Sequence, residues 1–79
     1  MRVTVTVRPR DGILDPQGAA VARSLAGLGY PASEVRAGKL FDLDIEAASA
    51  EEARRIADEI AEKVLSNPLV ERFDVEVAR

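Results

Sequence analysis

The side chains able to carry chemistry in this 79-residue chain are carboxylates, arginines and lysines, because it has no histidine and no cysteine. Those absences remove the commonest general base and the strongest nucleophile. They also remove the usual ligands of a structural zinc and any disulfide. The acids follow secondary-structure spacing. Asp42 and Asp44 stand two apart, as on one face of a strand, while Glu51, Glu52, Asp58, Glu59 and Glu62 crowd one candidate helix. A carboxylate pair could run acid–base chemistry or hold a metal. Here the alternation with Phe41, Leu43 and Ile45 makes a solvated sheet face the simpler account. No catalytic, cofactor-binding or metal-binding residue is therefore expected. Gly27 and Gly29 fall where a helix ends, so they form no phosphate-cradling loop between a strand and a helix N-terminus. Phe41 and Phe73 have core parity, which leaves no stacking platform for bases. Arg36 and Lys39 flank Gly38 as a small basic spot, suited to solvent or to an interface.

The whole chain sets the bounds for these residues. Apolar residues make up 47% and charged residues 32%, a globular balance. The net charge of −3 lacks the electrostatic footprint of a phosphate-backbone binder, so no nucleic acid partner is expected. The chain enters alternating Val and Thr directly, with neither a signal-peptide pattern nor a long apolar span. The expectation is a cytoplasmic protein with no membrane partner, folded as a single domain over residues 1–79. A core this small seldom supplies more than about 3–5 kcal/mol, so self-association is expected to support it.

Residues 2–8 alternate, placing Val3, Val5 and Val7 on one face and Arg2, Thr4, Thr6 and Arg8 on the other. Pro9 and Asp11-Gly12 end that strand. Asp15 is suited to cap a helix whose first position is Pro16, and Gly29 to end it in the left-handed conformation. Gly18 and Gly27 weaken this helix and suggest close approach of another backbone. Residues 34–46 read as a second strand with a bend near Gly38, since Lys39 would otherwise face the core. Ser49 and Glu52 form a capping box for a second helix, with Ala53, Ile56, Ala57, Ile60 and Val64 as its apolar stripe. Glu51 with Arg55 and Glu59 with Lys63 are its expected ion pairs. Asn67-Pro68 ends it, and residues 70–77 alternate as a last strand.

The order β-α-β-α-β, with the middle strand bent or split, predicts an α+β domain with two helices on one face of a small sheet. The charged face is either solvated or stacked on a second sheet, with Arg2 and Arg8 complemented by Asp42, Asp44, Asp74 and Glu76. The two open edges invite a partner strand.

Taken in order, Leu14-Asp15-Pro16-Gln17-Gly18 and then Val35-Arg36-Ala37-Gly38-Lys39 before an apolar strand resemble the small subunit of phosphoribosylformylglycinamidine synthase, the PurS family. Chain length, the acidic second helix, Asn67-Pro68 and the closing Phe73-Asp74-Val75-Glu76-Val77 extend the resemblance over nearly the whole chain. It implies a non-catalytic subunit in de novo purine biosynthesis, with no cofactor of its own. Such a subunit bridges a glutaminase subunit and an ATP-dependent synthetase subunit and aids ammonia transfer. It also implies self-association, as dimer or tetramer, through the sheets. The candidate partner-interface positions carried over by the resemblance are Asp15, Pro16, Gln17, Gly18, Arg36, Gly38 and Lys39. Asp15 and Pro16 are accounted for as a helix start and Gly38 as a bend. Gln17, Arg36 and Lys39 have no such local role and are favoured for contact. The alternatives are a dimeric α+β module sensing a small molecule and, less favoured, a minimal enzyme using carboxylates with Arg36 or Lys39.

Overall fold

A computed structural model describes residues 1–78. Strand β1 (Arg2–Pro9) is followed by helix α1 (Pro16–Gly27), strand β2 (Lys39–Asp44), helix α2 (Ala50–Ile60) and strand β3 (Glu71–Val77). A π-helical turn over Ala61–Leu65 extends α2. The sheet has the order β2-β1-β3, with β1 antiparallel to both neighbours.

The alternation in β1 is decisive because this strand is central. Val3, Val5 and Val7 are at most 1% exposed, and they stand opposite Leu43, Phe41 and Lys39 on one side and Val77, Val75 and Phe73 on the other. Helix α2 crosses this face and packs on β1 and β3. Its Ala53 and Ala57, with Ala61 of the π-helical turn, recur every four residues and are wholly buried. Methyl side chains at that spacing let a helix backbone lie close to a sheet, while Ile56, Ile60 and Leu65 pack at the flanks of the core.

The capping box forms: Ser49 Oγ accepts from the Glu52 amide at 3.1 Å. The Glu52 carboxylate accepts from the Ala48 amide at 3.3 Å, one residue before the expected Ser49 amide. Among the described residues the ion pair on this helix is Arg55–Glu59 at 3.6 Å, in place of Glu51–Arg55 and Glu59–Lys63.

The α+β class and the element order are as expected; two details differ. Among the described residues α2, with its π-helical extension, is the helix that packs closely on the sheet. Helix α1 buries Gly18 alone, because its alanines and Gly27 offer little apolar area, and Val21 and Leu28 stay 41% and 74% exposed. The middle strand is one piece: the ladder covers Lys39–Asp44, and residues 34–38 run outside it without forming a second strand. The chain is elongated, 50 × 26 × 14 Å, with a radius of gyration of 15.7 Å, whereas about 12 Å suits a compact chain of this length.

Candidate functional site

One junction gathers the end of β1, the start of α1, the approach to β2 and the turn before β3. Asp15 is its hub. The first backbone amides of a helix have no intrahelical acceptor, which makes an Asp before Pro16 a natural cap, and Asp15 Oδ1 accepts from the Gly18 amide at 3.0 Å. The other oxygen turns away from the helix and accepts from the Ala37 amide at 2.7 Å. The Arg36 Nε lies 3.8 Å from that same oxygen. With both oxygens engaged the side chain is only 12% exposed. The hydrogen bond from Gly18, then that from Ala37, hold the carboxyl below its ordinary value of 3.8; burial opposes them and the Arg36 charge adds to them.

Arg36 continues the tie. Its terminal nitrogen donates to the Arg10 carbonyl at 3.0 Å and to the Pro9 carbonyl at 3.4 Å. Arg10 in turn donates through Nε to the Pro68 carbonyl at 3.0 Å, and its amide donates to the Val70 carbonyl at 2.9 Å. The close approaches that this clustering demands fall on glycines. A Cβ on Gly18 would overlap the Val35 carbonyl oxygen and the Asp15 carboxylate, and one on Gly38 would lie 2.6 Å from the Val7 carbonyl oxygen. No such neighbour surrounds Gly27, where a close backbone was also expected.

All seven candidate residues thus come together. Asp15, Pro16, Gln17, Gly38 and Lys39 line a hollow of about 260 Å³ completed by apolar Ile13, Leu14 and Val70, with Gly18 immediately behind. Arg36, Gly38 and Lys39 line a second hollow of about 380 Å³ on the outer face of the sheet. Arg36, for which the sequence offered no local role, has a structural one; Gln17 and Lys39 are exposed and make no side-chain hydrogen bond or ion pair among the described residues.

Arg8 and Arg72 also line the second hollow; Arg8 was expected only as a charge to be complemented across the sheet, and Arg72 was given no role. Arg8 ends the outward series of β1, and Arg72 begins that of β3, so antiparallel pairing sets them directly opposite one another. The signal lay in their parity, but only the register reveals it. Arg2 stands opposite Asp44, as complementation requires, whereas Arg8 meets another arginine.

The family model described as "PurS: Phosphoribosylformylglycinamidine (FGAM) synthase" matches residues 2–79. A phosphoribosylformylglycinamidine synthase subunit PurS of Archaeoglobus fulgidus is 37% identical over 76 residues, which is 95% of each chain. The crystal structure of Methanocaldococcus jannaschii PurS superposes with a TM-score of 0.88 at 28% identity, covering 99% of this chain and 95% of that one. A chain of the Thermotoga maritima PurLQS structure superposes with a TM-score of 0.86 at 33% identity, covering 95% and 93%.

Proposed function

The chain belongs to the PurS family, the PurS subunit of phosphoribosylformylglycinamidine synthase in purine biosynthesis, and on that premise we propose that it bridges the glutaminase and ATP-dependent synthetase subunits of its complex without an active site of its own. The observation that carries this is the near full-length superposition on a chain of the Thermotoga maritima PurLQS structure. Holding two larger subunits in fixed relation would also aid transfer of ammonia from one to the other.

The smaller hollow is the surface best suited to a partner subunit. It combines an apolar lining of Ile13, Leu14 and Val70 with the polar tips of Gln17 and Lys39. Leu14 is 82% exposed there, a large apolar side chain left for another chain to cover. The tie through Asp15 and Arg36 supports this role, because a contact surface made from four separate segments needs a fixed frame. Self-association, as dimer or tetramer, would use the outer edges of β2 and β3, which have no neighbour among the described residues.

The test is reconstitution. The purified chain is mixed with the glutaminase and synthetase subunits from the same source, with glutamine, ATP and the ribonucleotide substrate, and co-elution and glutamine-dependent turnover are followed. Both should require this chain, and Leu14→Asp with Lys39→Glu should weaken co-elution while leaving the fold intact. Equal association and turnover without the chain would reject the bridging role.

A further inference from the structure

We propose that the larger hollow, between the outer face of β1 and β3 and residues 36–39, binds a phosphate group carried by a small molecule. Four cations line it, Arg8, Arg36, Lys39 and Arg72, against the single acid Asp11. This is a local excess of positive charge in a chain whose net charge is −3. Part of the Arg36 charge is met by Asp15. Arg8, Lys39 and Arg72 have no carboxylate within ion-pair distance among the described residues.

The Arg8–Arg72 pair is the telling feature. The two stand directly opposite across the ladder, where like charges destabilise a sheet and opposite charges stabilise it. The same face shows the complementary choice at its far end, where Arg2 faces Asp44 and Thr4 donates to Asp42 at 2.8 Å. An anion between the two guanidinium groups would turn their repulsion into paired, charge-assisted hydrogen bonds. Three uncommitted cations suit a multiply charged group, and a phosphate monoester carries about −1.5 to −2 at neutral pH where a carboxylate carries one charge.

Size and lining point to a phosphate on a larger body. About 380 Å³ falls in the range of small-molecule sites, roughly 300–1,000 Å³, and exceeds the needs of a lone ion. Pro9, Ala37 and the 63% exposed Leu40 form an apolar wall for the organic part. The floor is held in place, since Arg36 is fixed to the Pro9 and Arg10 carbonyls and Gly38 lies against Val7. The site needs no partner subunit, so its test is independent of the bridging role.

The isolated, nitrogen-15-labelled chain is titrated at constant ionic strength with inorganic phosphate, ribose 5-phosphate and ATP, with acetate as the singly charged reference. Saturable shifts confined to the amides of residues 8, 36–40 and 72 are expected, with a phosphate ester bound about tenfold or more tightly than acetate. The order of affinity among the three phosphates then distinguishes free phosphate, a sugar phosphate and a nucleotide as the source. Arg8→Gln with Arg72→Gln should lower that affinity about tenfold, as should Lys39→Gln, whereas Arg23→Gln on α1 should leave it unchanged. Shifts that rise without saturating and spread to Arg23, Arg54 and Arg55 would overturn the proposal. So would retained affinity in the double variant, or loss of subunit association in that variant with no anion-induced shift in the free chain.

Discussion

At Gly18 a single added methyl group would meet the carbonyl oxygen of Val35 and the carboxylate that caps its own helix. Gly18→Ala is therefore expected to cost about 3 kcal/mol, read as a lower denaturation midpoint, because the obstacle is backbone and cannot turn aside. Gly27→Ala is the control: open space surrounds the position, and the substitution should stabilise by about 0.5–1 kcal/mol through helix propensity and a less flexible unfolded chain. Asp15 gives a pH signature. Its folded carboxyl titrates below its ordinary 3.8, so its stabilising contribution is complete above that value and is lost as pH falls through the lower folded one. The wild-type midpoint should drop across that acid range, and Asp15→Asn should start lower at neutral pH and show a shallower acid limb. The cap was legible from Asp15-Pro16 because its partner amide is three residues away. The second bond, to Ala37, was not, because no local pattern announces a contact twenty-two residues distant. The structural tie of Arg36 was unreadable for the same reason: the carbonyls it serves belong to the end of another strand.

Helix α2 shows what periodicity can and cannot specify. Its start was readable from Ser49 and Glu52, and its buried stripe from the spacing of Ala53 and Ala57. The widened turn after Ile60 was not. There the Ser66 amide and its hydroxyl both donate to the Ala61 carbonyl, at 2.9 and 2.8 Å, and the stripe passes from Ala61 to Leu65 while Val64 is left 75% exposed. A regular helical count placed Val64 on the core side. Because Ala57 has no exposed surface between helix and sheet, Ala57→Leu should force the two apart and cost about 1–3 kcal/mol in chemical denaturation. Helix α1 was readable in its ends but not in its position. Its caps are local, whereas its place in the fold depends on apolar area that an alanine-rich helix scarcely has.

Over the whole molecule, burial is concentrated at the sheet and α2, and α1 lies largely uncovered. Local opening should follow that division. In the isolated chain the amides of α1 should exchange with deuterium well before those of β1 and α2, and, on the proposal that a partner subunit docks at the smaller hollow, protection of the α1 start should rise when the partner subunits are added. Uniform protection across both helices in the free chain would show that α1 is held by more than its caps. The central position of β1 carries a different consequence. Strand β1 precedes both of its neighbours in the chain and pairs Val3 with Val77, so its second neighbour is made some seventy residues after it. Sheet closure must therefore await β3, and folding before that point can draw on β1, β2 and the two helices that precede β3. A nascent or truncated chain without β3 would display the unsatisfied amides and carbonyls of its most buried strand, which is a template for aggregation.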